Sequence, residues 1–282
     1  MPAELDVRLI ASFVLAIVFD VLMPVVVVLW ARRKLGVAWK VLGIGALAFA
    51  LSQLFTRLPL TQVIQYLLRD ELKASTLLMN VWLVVLSITA GLFEETARLI
   101  AFSRPLREHR TWKEAIGFGV GHGGFESAVL VGAIAAIGLI NLVVLSKLDL
   151  STLPLAPEQL EQVRAAKAQL AALRWWEPLL GGYERICAML IHVSMTVVVL
   201  QRFLRQQWRW FWFAVGFHTL SNLLMVVAAQ KAGVVAAEGV ATVFALLGLG
   251  LILHFRPRQY APTMTPADAA PTGDSASLGS PS

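Results

Sequence analysis

The chain has 282 residues, 57% of them hydrophobic and only 15% charged, with a formal net charge of +6 and a mean hydropathy of +0.70. Soluble domains carry less apolar and more charged residue than this, so a soluble fold is excluded and an integral membrane protein is implied. The basic residues lie in short segments between apolar runs, where a topology signal belongs, which excludes nucleic acid as a partner and points to membrane lipid.

The N-terminal stretch "MPAELDVRLI" places acids before the first apolar run and lacks a basic n-region or a small-residue cleavage site. It is expected to lead into a retained first helix rather than a removable signal. Seven apolar runs follow, at 9–30, 39–56, 77–102, 114–145, 178–201, 209–229 and 233–255, each near the roughly 20 helical residues that cross a bilayer core. The expected fold is therefore all-α, a polytopic bundle of about seven transmembrane helices in one domain over residues 1–258. The fourth run is long enough to require tilting or a break. Two connections carry helical apolar periodicity: "LTQVIQYLLRDEL", with Leu60, Val63, Ile64, Leu67 and Leu68, and "PEQLEQVRAAKAQLAALRWW", with Leu160, Val163, Leu170 and Leu173. Both are expected to be amphipathic helices on the outer membrane surface. The single Cys187 can form no intrachain disulfide. Residues 259–282, rich in Pro, Ala, Ser and Thr, are expected to form a disordered tail. No internal repeat is visible.

Lys and Arg set an orientation. Arg32, Arg33, Lys34 and Lys40, then Arg104, Arg107, Arg110 and Lys113, then Arg202, Arg205 and Arg209, and finally Arg256 and Arg258 all fall on one side. That side is expected to be the cytoplasmic one, with the N-terminus outside and the C-terminus inside. Trp30, Trp39, Trp112, Trp208, Trp210 and Trp212 suit the inner interface, and Trp175 and Trp176 the outer one.

Against this apolar background stand Glu94, Glu95, Arg98, Glu126, Glu184 and Arg185. At roughly 3 kcal/mol for each ionised side chain near the bilayer centre, they must be paired, protonated or turned to water. Depth can be counted from the basic flanks: Glu95 is nine residues before Arg104, His122 nine after Lys113, His192 ten before Arg202 and His218 nine after Arg209. Each therefore sits roughly 14 Å in. Four antiparallel helices bring a carboxylate and three imidazoles to one level. Glu126 is i+4 from His122, and Asn222 is i+4 from His218. Arg98 is i+4 from Glu94 and i+3 from Glu95 and can neutralise one of them, which leaves the other free. Glu184 and Arg185 read equally well as a helix clamp or as part of the centre. His109 and His254 lack this context, and the single acids Asp20 and Glu238 read as structural or solvated. The glycines at 117, 119, 121 and 123 allow close helix approach or a backbone break near His122. Although "GVGHGG" matches G-x-G-x-x-G, no strand precedes it, so it is not a dinucleotide fingerprint.

"EETAR", F-x-x-x-H from Phe118 to His122 and H-x-x-x-N from His218 to Asn222 together resemble the motifs of the CAAX-prenyl-protease and bacteriocin-processing superfamily of glutamic intramembrane proteases. "GHGGFE" and the Glu184–Arg185 to His192 element are similar to its YhfC branch of bacterial membrane proteins. In the prenyl-protease pattern three residues separate the glutamate pair from the arginine, whereas here Thr96 and Ala97 are the only two. The resemblance implies an intramembrane endopeptidase acting on a membrane-associated protein or peptide. Glu94 is then the general base, with Glu95 as the alternative, and His122 its partner in activating water. His218 and Asn222 would donate to the developing oxyanion, and Glu126 and His192 would orient these groups. No cofactor is expected on this reading. Its nearest rival places zinc on His122, His192, His218 and Glu95. A proton-coupled transporter and a non-catalytic scaffold are rivals from other classes.

The orientation is checked by reporter fusions. A fluorescent protein after Ser282 should fluoresce, and alkaline phosphatase after Ala74 should be active; the reversed pattern would overturn the N-out assignment.

Overall fold

The computed structural model describes residues 6–150 and 154–257, and the tail expected over 259–282 lies outside them. The described residues are helical, without strands. Seven helical segments among them are long and apolar enough to span a membrane, at Val7–Leu35, Trp39–Leu67, Thr76–Ser103, Trp112–Lys147, Glu177–Leu204, Arg209–Ala232 and Val234–His254.

Local chemistry sets where these helices start. Asp6 caps α1 (Val7–Trp30) by accepting the Arg8 backbone N–H at 2.9 Å, and Ser75 caps α5 (Thr76–Ser103) through Leu78 N at 3.2 Å. At the start of α6 (Trp112–Phe125) Thr111 and Glu114 satisfy each other's backbone donors, at 3.3 and 3.0 Å. α10 (Arg209–Ala232) turns into α11 (Val234–His254) through Gly233 alone, whose φ of 86° strains any residue with a Cβ.

The second span departs from the sequence reading. α2 (Trp39–Phe49) passes through a π-helical stretch, Ala50–Arg57, directly into α3 (Leu58–Leu67). The expected separate helix at 60–72 is thus a continuation of the span up to Leu67, followed by the short α4 (Arg69–Ala74). Pro59 has no N–H to give, and it follows directly on these widened turns, which accommodate a residue that would kink a regular helix. The fourth span, expected to tilt or break, is continuous and takes up its length with a widened stretch. α6 stays helical through all four glycines, Glu126–Val131 forms a π-helical segment, and α7 (Gly132–Lys147) continues. The second amphipathic segment forms α8 (Pro157–Ala171), and Leu170 and Leu173 pack on the Leu9, Phe13 and Leu142 cluster.

α9 (Glu177–Leu204) is the central helix, buried along most of its length. It packs on α6, α11, α10 and α1, while α6 also lies along α2 and α5 along α10. Val41, Leu42, Phe102, Phe118, Val120, Val193, Val197 and Leu200 fill the shared core. Small residues hold α6 tight against its neighbours. A Cβ at Gly45 would run into the Phe118 carbonyl, one at Gly121 into the Leu42 carbonyl, and one at Gly119 into the Val193 Cα.

Gly45→Ala should therefore cost about 1–3 kcal/mol in unfolding experiments in detergent. Gly43→Ala is the control, since its added Cβ meets nothing within 4 Å. Equal stability of the two variants would refute the close packing of α2 on α6.

Candidate active site

α5 carries the centre's charges inward. Arg98 has no exposed surface. Its Nη1 donates to Glu95 Oε1 at 2.6 Å, its Nη2 to His192 Nδ1 at 2.8 Å, and its Nε to Thr196 Oγ1 at 3.2 Å. The same Nη2 lies 3.6 Å from Glu94 Oε2. With only two residues between the glutamate pair and the arginine, Glu95 makes the close pair and Glu94 the looser one.

This pairing decides the role of each imidazole. A guanidinium can only donate, so His192 Nδ1 accepts, and the proton of the neutral ring sits on Nε2. That Nε2 is 2.5 Å from Glu126 Oε2. His218 is the opposite tautomer: its Nδ1–H donates to Glu95 Oε1 at 2.8 Å, and its unprotonated Nε2 is left facing Glu94 Oε1 at 3.9 Å. His122 Nε2 bonds Glu94 Oε2 at 2.9 Å. Its Nδ1 is buried and has no partner among the described residues. Phe49 meets the His122 ring edge-on at 5.2 Å and Phe118 stacks on it at 6.2 Å, which fixes its plane.

The remaining expected residues form the approach. Arg185 Nη1 bonds Glu126 Oε1 at 3.0 Å and its Nη2 bonds Glu184 Oε1 at 2.6 Å, so this pair extends the network rather than standing apart. A cavity of about 520 Å³ is lined by Glu94, Glu126, Glu184, Arg185, His192, His218 and Asn222. Asn222 makes no hydrogen bond to a described residue and faces open space. Glu95, Arg98 and His122 stand behind this lining. Of the two acids read as structural or solvated, Asp20 is buried, and Glu238 is buried at the cavity wall; each has one oxygen without a described partner. His109 pairs with Glu114 at 2.6 Å, away from the centre.

Sequence reasoning missed Thr196, which anchors Arg98, and the Gln53–Arg57 pair on the cavity wall. The signal for that pair was its i, i+4 spacing at the end of an apolar run.

Glu94, His122 and His192 each offer a ligand atom, all within 4.8 Å of one another, which is compatible with one metal ion. His218 rests Nδ1 on Glu95 and turns Nε2 toward Glu94, the backing that metal-binding imidazoles require, whereas His192 has Nε2 beside Glu126 and its Nδ1 on the Arg98 guanidinium. This donor set differs from the one expected: Glu94 stands in place of Glu95, and His218 lies outside it.

The fold and centre define a polytopic helical membrane protein with a buried Glu/His/Arg site. More narrowly, the chain belongs to the YhfC family: the family's profile, described as YhfC intramembrane metalloprotease, matches residues 19–245. It is 26% identical over 228 residues to the "Uncharacterized membrane protein YhfC" of Bacillus subtilis (strain 168), covering 80% of this chain and 87% of that protein. No solved structure matches the chain.

Removing the cation should leave Glu94 and Glu95 uncompensated. Arg98→Leu is expected to lose about 3–5 kcal/mol of unfolding free energy in detergent. A loss no greater than that of an exposed-residue control would contradict the pairing.

Proposed function

We propose that the protein is an intramembrane endopeptidase that hydrolyses a membrane-associated protein or peptide at the Glu94 centre. The observation that carries this reading is the convergence of His192, His218 and Glu94 at a cavity wall, with His122 on Glu94 from behind and Glu95 and Glu126 beside the other two rings. The polar residues gathered here exceed what a helix clamp needs, since Arg98 with Glu95 alone would join α5 to α9 through Thr196.

The donor set fits zinc, which Glu94, His122 and His192 would hold. Zinc supplies a Lewis acid that makes water acidic near neutral pH and polarises a carbonyl. The chain's own residues do the rest. Glu95 holds His218 by Nδ1, so that His218 presents an unprotonated Nε2 to the cavity, which can take a proton from the attacking water and then pass it to the leaving amine. Asn222 offers an amide N–H₂ to the oxygen of the attacked carbonyl. Glu126 keeps His192 in one tautomer, and Phe49 and Phe118 keep water away from the back of His122. Glutamic hydrolysis without metal is the second reading, favoured by Arg98. Its Nη2 already occupies His192 Nδ1 at 2.8 Å, where a zinc bond would form. Glu94 then serves as the base and His122 shares its proton.

Comparing protein N-termini in membranes of cells expressing the wild type, Glu94→Gln or His122→Ala should reveal termini unique to the wild type. Their absence across growth conditions in a native host would refute hydrolysis. Metal analysis of the purified protein separates the two mechanisms. Zinc near one per chain, lost in His192→Ala, with activity removed by a chelator and restored by zinc, supports the metal form. Activity that survives metal removal supports the glutamic form.

A further inference from the structure

Beyond the centre, the cavity runs toward the end of the bundle where α10 meets α11, and one wall there carries Gln53 and Arg57. Arg57 Nη1 donates to Gln53 Oε1 at 2.9 Å, Nη2 to the Leu86 carbonyl at 2.6 Å, and Nε to Thr89 Oγ1 at 3.2 Å. None of these partners is charged, and the guanidinium has N–H groups left over. Gln53 is 3% exposed, and its Nε2 has no partner among the described residues. A buried amide donor left unbonded is costly, and so is an arginine in a membrane span with no described carboxylate at contact distance. Both costs vanish if an anion with two acceptor oxygens binds between them. Arg57 fixes the amide oxygen, which leaves the buried Nε2 of Gln53 beside the guanidinium without an acceptor. A clamp between α2 and α5 would account for the bonds to Leu86 and Thr89, but neither for a full positive charge nor for the unbonded amide.

We propose that Arg57 and Gln53 form a specificity subsite that binds a carboxylate of the peptide substrate, either an Asp or Glu side chain or the chain's own C-terminus. The proposal rests on the proteolytic reading of the Glu94 centre. Arg57 and Glu94 line one cavity, so the carboxylate would lie at a fixed number of residues from the cleaved bond. Bidentate recognition of this kind suits arginine and not lysine.

The test uses the full-length protein in lipid nanodiscs and a mixture of proteome-derived peptides, with products read by mass spectrometry against Glu94→Gln. The wild type should cut peptides that carry an acid at one position relative to the cleavage site. For a peptide so found, replacing the acid by its amide should lower kcat/KM by about 10- to 100-fold. Exchanging Asp or Glu for Asn or Gln tests the side-chain source, and C-terminal amidation tests the terminal source. In Arg57→Gln the acid-to-amide ratio should fall toward one, with Arg57→Lys between. Glu94-dependent cleavage with no acid preference, or a ratio unchanged in Arg57→Gln, would overturn the subsite and leave the protease standing. The comparison of peptides in the wild type decides this even if a variant misfolds. Absence of any Glu94-dependent cleavage would overturn the proteolytic reading and the subsite with it.

Discussion

The centre depends on one cation. Arg98 lies on a membrane-spanning helix with no exposed surface, and a guanidinium there is tolerable only if its charge is met at contact distance. Glu95 meets it, and Glu94 lies close enough to share the field. The same two partners reach further. Glu95 also takes His218 Nδ1, and Arg98 also takes His192 Nδ1, so two rings from α9 and α10 are oriented by groups on α5. Neutralising either member of the pair would therefore release an imidazole as well as expose a charge. Such a network restricts the arrangements open to it, because losing either bond leaves further polar atoms unbonded beside those, such as His122 Nδ1, that already lack a described partner.

Backbone geometry makes those reaches possible. His122 can bond Glu94 only because α6 lies close to both α2 and α9, and that approach requires glycine where the backbones nearly touch. Directly after the glycines the helix widens at Glu126, so that Glu126 meets Arg185 and His192 on α9. A second widened stretch carries Gln53 and Arg57 to the cavity wall. π-helical turns are seldom retained where they serve no local purpose. Here two of them deliver polar residues to the same cavity.

The seven spans and the convergence of Glu94–Glu95 with three histidines are legible in the sequence, because hydropathy and a rise of 1.5 Å per residue depend on composition and counting alone. Which glutamate faces His122 is not. Neighbouring residues on a helix point about 100° apart, and the rotation of α5 is set by packing against α10 and α2 rather than by anything within "EETAR". Counting across π turns fails for a related reason: each one shifts the angular register of everything beyond it. The second run ends at residue 56 by hydropathy, and Arg57, just beyond it, was not placed on the cavity wall. Thr196 was illegible because hydroxyls on apolar helices usually bond their own backbone, as Thr196 also does through the His192 carbonyl at 2.8 Å.

A helical substrate satisfies its own backbone within the bilayer, so a peptide bond can be attacked only after that segment has been unwound. Unwinding frees N–H and C=O groups that hydrocarbon cannot satisfy. The wall between the Glu94 centre and the far end of the cavity carries Gln53, Arg57, Ser87, Glu184, Asn222 and Glu238, a density of hydrogen-bonding groups out of proportion to the surrounding helices. Substrate geometry and the distribution of polarity are thus linked. On the proteolytic reading, the groups that look superfluous to catalysis are those that make an extended peptide tolerable at membrane depth. An anchor at Arg57 would offset part of the cost of unwinding by binding a charge that a membrane-embedded segment would otherwise have to keep at the interface.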